Sequence, residues 1–279
     1  MGVVGSGIMG MGIAEMGARG GWSVTVVDTA PAALERARAS IEKSVTRAVS
    51  SGKLEADVAE VMSRLTFTHD LASLTPCSIV IEAIRENLED KVALFKELDA
   101  VLSPTTVIAT NTSSIPVAKL GAATAHPGRV LGLHFFNPVP LMPLVEVVPS
   151  LLTEDWATEM ADGFTREVLG KKVIRAKDRA GFVVNAILVP YLLSAIRSLD
   201  NGVASLEDID EGMVGGCGMP MGPLRLCDLI GLDTMLLVAE SLYSEHLDPS
   251  FVPPALLRRH VDAGYLGRKS GRGFYDYST

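Results

Sequence analysis

The chain has 279 residues, 48 % of them hydrophobic and 21 % charged, close to the globular average, so it can bury a core and wholesale disorder is excluded. A net charge of −8 argues against nonspecific binding to nucleic acid, whose polyanion needs a basic face, but leaves room for a small anionic ligand at one local site. Cys77, Cys217 and Cys227 are too few and too scattered for a disulfide framework or a zinc site. No metal is therefore expected, and the compartment is expected to be reducing and cytoplasmic.

In the first half, short apolar runs at 2–4, 23–27, 79–83, 107–110 and 130–135 alternate with longer polar-faced segments, and 144–148 and 172–176 are further strand candidates. This alternation predicts a mostly parallel sheet with helices on both faces. Unbroken Val/Ile/Leu runs suit strands covered on both sides. The run at 2–4 is shorter than the usual five or six residues, as expected if the start falls inside the strand, and no export signal precedes it. Between 31 and 64 two helical segments are predicted, split at Ser50-Ser51-Gly52-Lys53. Leu34, Ala37, Ile41 and Val45 recur there at spacings of three and four, the pattern of an amphipathic helix. A helical pair at this point is longer than a simple crossover requires.

Beyond Gly181 the strand pattern stops, and 182–199, 206–214, 224–243 and 254–263 read as helices. Asn201-Gly202 ends the first of these, and Ser205 followed by Asp208 caps the second. The boundary falls at 178–181, giving an α/β unit over 1–179 and an all-α unit over 180–279. The most apolar stretch, 181–199, is interrupted by Asn185, Pro190 and Arg197. A membrane span needs about 20 mainly apolar residues, so a buried helix is expected and no membrane partner.

Gly5-Ser6-Gly7-Ile8-Met9-Gly10 directly follows a strand and opens a helical run through Ile13, Ala14 and Met16. In such a turn the first Gly permits the bend, the second lets backbone approach a pyrophosphate, and the third packs helix on strand. The second strand ends in Asp28, whose carboxylate can accept from both ribose hydroxyls of adenosine. Together these predict a Rossmann-type dinucleotide site. Asp28 would repel a 2′-phosphate and no Arg follows it immediately, so NAD is favoured over NADP.

His134 ends a strand, where ligands of open α/β sheets bind. Glu146 lies in the apolar run Pro143-Leu-Val-Glu-Val-Val148 and is costly to bury without a partner. Pairing the two would fix the imidazole tautomer and raise the base strength of its other nitrogen; a structural His with a solvent-facing Glu on an edge strand is the alternative. Asn111-Thr-Ser-Ser114 follows another strand to the same sheet edge, where it reads equally as a ligand-binding loop or a helix cap. Asn185, one turn into an apolar helix, needs a hydrogen-bond partner if buried.

These segments, with Ile81-Glu-Ala-Ile-Arg-Glu-Asn-Leu88, His134-Phe-Phe-Asn-Pro-Val-Pro140, Leu144-Val-Glu-Val-Val148, Gly181-Phe-Val-Val-Asn185, Pro220-Met-Gly-Pro223 and Gly267-Arg-Lys-Ser-Gly-Arg-Gly-Phe-Tyr275, follow one family's order and spacing. Over essentially its whole length the chain resembles the 3-hydroxyacyl-CoA dehydrogenases, most closely the compact bacterial 3-hydroxybutyryl-CoA dehydrogenases. The resemblance implies that His134 is the general base and acid, oriented by Glu146, with Ser113 and Asn185 around the substrate oxygens and nicotinamide. It implies that Glu86, Lys91, Ser113, Asn137 and Lys269 contact the dinucleotide alongside Gly5, Gly7, Ile8, Met9, Gly10 and Asp28. The 31–64 insertion resembles the family's coenzyme A-binding hairpin, with Ser44 at a contact position. Where relatives carry a lysine seven residues further on, this chain has Ser51, and Lys53 is the nearest substitute. The helical half resembles the family's dimerisation domain, implying a homodimer, and Ile187, Leu188, Leu192 and Leu193 suit burial there. Two other readings share the opening motif: a β-hydroxyacid dehydrogenase, which would need a lysine base that 182–199 lacks, and a non-catalytic dinucleotide-binding protein.

Overall fold

A computed structural model describes residues 1–278 and divides the chain into two compact units, Met1–Arg179 and a second beginning at Ala180. In the first unit the strands are β1 (Gly2–Val4), β2 (Val24–Val27), β3 (Leu65–Thr68), β4 (Ile79–Glu82), β5 (Val107–Thr110), β6 (Val130–Phe135), β7 (Leu144–Pro149) and β8 (Lys172–Arg175). They form one sheet in the order β3-β2-β1-β4-β5-β6-β7-β8, parallel except for the antiparallel β6–β7 pair. The helices are α1 (Ile8–Arg19), α2 (Pro31–Ser50), α3 (Val58–Ser63), α4 (Leu88–Val101), α5 (Val117–Gly121) and α6 (Asp155–Gly163). The chain leaves β1 for β2 on one side and returns to β4 on the other, so the order reverses beside β1, where open α/β sheets bind ligands.

Side chains alternate across the sheet. Val3, Val26, Ile81, Ala109, Leu133 and Val147 join Ile13 and Ala14 of α1, Ile41 of α2 and Ala161 of α6 in one core cluster. Leu34, Ala37, Ile41 and Val45 form the buried stripe of α2, as their spacing predicts. The opposite set includes Glu82, Thr110 and Gly132, which lie side by side in register across β4, β5 and β6.

Strand β3 corrects the sequence reading, which carried no strand between 64 and 79. Its Leu-Thr-Phe-Thr sequence buries little beyond Leu65 and pairs only with β2 at the sheet edge, so it lacks the continuous apolar run of the central strands.

The second unit contains α7 (Val184–Asp200), α8 (Leu206–Cys217), α9 (Pro223–Ile230), α10 (Leu232–His246) and α11 (Ala255–Asp262). Leu192, Leu193, Ile196, Leu224, Cys227, Met235, Leu242 and Leu257 form its core. The helix expected over 224–243 is two helices, because Gly231 adopts φ 101°, a left-handed value that ends α9 while the apolar periodicity continues. Buried Asp210 and Asp228 pin the C-terminal segment. Asp210 accepts from the Leu224 and Arg225 amides and the Tyr275 hydroxyl (2.7, 3.1 and 2.9 Å). Asp228 accepts from the Phe274 and Tyr275 amides (2.9 Å each) and the Tyr277 hydroxyl (3.1 Å). Among the described residues no helix is long and apolar enough to cross a membrane.

Candidate active site

The turn between β1 and α1 is built from close backbone approaches. Gly5 has φ 98°, and a Cβ there would press into the Ala83 carbonyl. A Cβ on Gly10 would fall on the Gly5 carbonyl oxygen, whereas one on Gly7 would meet open space. Bare backbone thus surrounds the N-terminus of α1, whose first-turn amides of Ile8, Met9 and Gly10 have no intrahelical acceptor. Such a cradle fits a dinucleotide pyrophosphate.

At the end of β2, Asp28 Oδ2 accepts from the Ser6 amide and hydroxyl (2.8 Å each) and Oδ1 from the Ala30 amide (3.0 Å). Partial burial pushes the carboxyl up, but the Ala30 and Ser6 donors and the nearby Arg36 charge outweigh it and hold Asp28 below the usual carboxylate range. A fixed carboxylate beside a glycine cradle fits the adenosine ribose of NAD and opposes a 2′-phosphate.

His134 and Glu146 are direct partners in the antiparallel register of β6 and β7, which explains how residues twelve apart in sequence meet. Glu146 is 0 % exposed and His134 6 %, with His134 Nδ1 at 2.5 Å from Glu146 Oε2. The alternative of a solvent-facing Glu on an edge strand is thereby corrected, since β8 covers the outer side of β7. Gly132 pairs with Thr110, so His134 stands two residues, about 7 Å, beyond the end of β5 at the ligand-binding edge. Phe136 flanks the imidazole with ring centroids 4.7 Å apart.

Behind this edge lies a polar network. Glu82, 0 % exposed at the end of β4, accepts at Oε1 from Lys91 Nζ (2.6 Å) and the Ile84 amide (2.7 Å), and at Oε2 from the Thr110 hydroxyl (2.7 Å). Lys91 is 1 % exposed and also pairs with Glu86 at 3.2 Å. Glu86 holds the loop after β5, accepting from the Thr112 hydroxyl, the Ser114 hydroxyl (2.9 Å) and the Ser113 amide (3.3 Å). Its surroundings push the carboxyl up, but the Lys91 ammonium and the Thr112 and Ser114 hydroxyls hold Glu86 below the usual range. Asn111 Oδ1 accepts from the Phe135 amide (2.9 Å), tying this loop to the residue after His134.

The remaining expected positions are placed as follows. Asn137 is exposed in the turn before Pro138, and that turn is anchored by the buried Lys171, whose Nζ donates to the Val139 and Met142 carbonyls (2.5 and 2.7 Å). On α2 the Ser44 hydroxyl donates to buried Glu15 (2.9 Å), and Lys53 is exposed in the turn beyond the helix. In the second unit, Asn185 is half-buried and is the second residue of α7 rather than one turn into it. Lys269 pairs with Asp233. Leu192 and Leu193 are fully buried, but Ile187 is 70 % exposed. Sequence reading passed over Glu82, although a carboxylate in Ile-Val-Ile-Glu carries the same signal as Glu146. It also passed over Ser6 and Lys171, whose roles depend on contacts that spacing does not show.

Comparison with known proteins agrees with this geometry. Residues 1–179 match the family model of the 3-hydroxyacyl-CoA dehydrogenase NAD binding domain, and 181–277 that of the 3-hydroxyacyl-CoA dehydrogenase C-terminal domain. The chain is 53 % identical over 279 residues to a 3-hydroxybutyryl-CoA dehydrogenase of Mycobacterium tuberculosis, covering 99 % of this chain and 98 % of that protein. It is 42 % identical over 278 residues to one from Bradyrhizobium diazoefficiens, covering 99 % and 94 %. The crystal structure of (S)-3-hydroxybutyryl-CoA dehydrogenase from Ralstonia eutropha superposes with a TM-score of 0.95 at 46 % identity, covering 100 % of this chain and 98 % of that one. The chain belongs to the 3-hydroxyacyl-CoA dehydrogenase family.

Proposed function

We propose that this protein catalyses the reversible, NAD-dependent oxidation of (S)-3-hydroxyacyl-CoA to 3-oxoacyl-CoA, acting on short chains such as 3-hydroxybutyryl-CoA and acetoacetyl-CoA. The observation that carries the reading is the buried His134–Glu146 pair at the C-terminal edge of a sheet that also presents a dinucleotide cradle. When bound, NAD would supply the acceptor for the hydride leaving C3, and NADH the donor in the reverse direction. The Gly5–Gly10 backbone receives the pyrophosphate and Asp28 the adenosine ribose, with Ile8, Met9, Glu86, Lys91, Ser113, Asn137 and Lys269 completing the dinucleotide site. Lys91 serves it by fixing Glu86 rather than by its own exposed charge, since its ammonium is occupied by two carboxylates.

With Nδ1 engaged by Glu146, His134 handles the substrate proton at Nε2. It takes the proton of the 3-hydroxyl during oxidation and gives it back during reduction. Glu146 holds the ring orientation and stabilises the imidazolium that forms. Ser113 and Asn185 hydrogen-bond the substrate oxygens. Ser44 on α2, already fixed by Glu15, and Lys53 in the turn beyond it contact coenzyme A. The protein acts in the cytoplasm as a homodimer joined through its helical unit. The exposed Ile187 and Leu237 (70 % and 68 %) support that association, because large apolar side chains at a surface mark contact sites.

The test is acetoacetyl-CoA-dependent loss of NADH absorbance by the purified protein. Saturable turnover supports the assignment, and oxidation at the no-substrate rate refutes it. An intact acid–base pair at the sheet edge argues against a protein that only binds the dinucleotide.

A further inference from the structure

Glu82 is the most deeply buried acid at the sheet edge without a part in the chemistry described above. It lies on the same sheet face as His134: Glu82 is in register with Thr110, Thr110 with Gly132, and His134 is two residues along β6 from Gly132. Apart from the amide of Ile84, its polar contacts lead toward the loop that carries Ser113. Oε2 receives the Thr110 hydroxyl, one residue before that loop, and Thr110 Oγ1 accepts in turn from the Thr112 amide (3.2 Å). Oε1 receives Lys91, which passes the connection to Glu86, and Glu86 binds Thr112, Ser113 and Ser114. The loop is thus held twice by groups that converge on one carboxylate. A buried ion pair contributes little stability beyond well-packed apolar residues of similar volume. Stability alone is therefore a poor account of a charge placed there.

We propose that Glu82 is a positioning residue: through Thr110 on one side and Lys91–Glu86 on the other, it fixes the 111–114 loop, and with it Ser113, for substrate and dinucleotide. The inference rests on the dehydrogenase reading above. Glu86 reaches the protein surface, being 40 % exposed in its side chain, and is the member that meets the ligand side. Glu82 never does. Its effect is transmitted by geometry.

The test combines hydrogen–deuterium exchange with kinetics on the full-length protein. In Glu82→Gln, exchange of peptides covering 111–116 is expected to quicken about tenfold while those covering β1 and β2 stay at the wild-type rate, since local opening is what exchange reports. Turnover of acetoacetyl-CoA is expected to fall about tenfold in kcat with a smaller change in KM. The double variant Glu82→Gln/Glu86→Gln should lose less than the product of the two single losses, because both residues act on one loop and such effects are non-additive. Thr110→Val removes the hydroxyl at nearly constant volume and tests the same link if Glu82→Gln does not fold. It should loosen the loop, and Thr110→Ser should restore wild-type exchange and kcat. Wild-type exchange at 111–116 in both Glu82→Gln and Thr110→Val, or losses that multiply in the double variant, would overturn the inference. A wild-type protein without turnover overturns the dehydrogenase reading and the catalytic half of this inference with it. Wild-type turnover with an unchanged loop overturns this inference alone.

Discussion

Replacing Asp28 by Ala tests whether cofactor choice is made at the end of β2. Two terms change together. The carboxylate sits where the proposed site would take the adenosine ribose, and it is held as an anion by three hydrogen bonds from Ser6 and Ala30. A unit negative charge on a 2′-phosphate about 4 Å away costs about 1 kcal/mol in water and about 4 kcal/mol at the effective dielectric of a protein surface. Because Asp28 is half-exposed, solvent screening places the cost near the lower end, about 1–2 kcal/mol. Loss of the acceptor for a ribose hydroxyl removes about 1–2 kcal/mol of NADH binding as well. The ratio of kcat/KM for NADH over NADPH should therefore fall by about 2–4 kcal/mol, or about 30- to 1,000-fold. Steady-state reduction of acetoacetyl-CoA with each nucleotide measures it. The sign of the Asp28 shift adds a control. Its carboxyl is depressed, so in the wild type the preference should stay flat as pH falls from neutrality to about 5. An unchanged NADH/NADPH ratio in Asp28→Ala would refute the reasoning and move the choice elsewhere.

Other expectations follow from the same geometry. Glu146→Gln keeps a group opposite Nδ1 but removes the charge that stabilises an imidazolium, so kcat should drop about 10²–10³-fold with NADH affinity, read by fluorescence titration, within about twofold of wild type. Gly10→Ala drives a Cβ onto the Gly5 carbonyl and should cost about 2–4 kcal/mol by urea denaturation while abolishing NADH binding; retained binding would show that the turn can relax. Asp28 and Glu86 have depressed pKa values, so the stability each contributes is present above the unfolded values of about 4 and lost as pH falls through their lower native values. Glu86→Gln should therefore flatten the acid limb of a thermal-melt series below about pH 4.5. Tyr275→Phe deletes the hydroxyl on buried Asp210 and should lower stability by about 1–2 kcal/mol without changing kcat.

The central strands, the glycine cradle and the α2 stripe were legible because each is written in local pattern: unbroken Val/Ile runs, glycines between strand and helix, and apolar residues at three and four. The His134–Glu146 pair was legible in part. A carboxylate in an apolar strand asks for a partner, but only the antiparallel register places Glu146 opposite the histidine. Strand β3 was not legible, because an edge strand with one deeply buried side chain carries almost no apolar signal. The break at Gly231 was hidden for the opposite reason, since the apolar period runs through it and only the backbone angle ends the helix. Lys91 illustrates a third limit. The family resemblance implies a dinucleotide contact for it, and no local pattern shows that at 1 % exposure its ammonium also serves Glu82 and Glu86. Glu82 itself could have been suspected by the reasoning applied to Glu146, but no local pattern marks Lys91 and Thr110 as its partners.

The most direct test of the account is His134→Ala, measured for acetoacetyl-CoA turnover and for NADH binding in the same preparation. Loss of kcat by about 10²–10⁴-fold with NADH affinity and melting temperature near wild type is the predicted result, as removal of a general acid and base requires. Turnover within a few-fold of wild type would contradict the account, and so would a parallel collapse of NADH affinity and folding, which would make the buried imidazole a structural element.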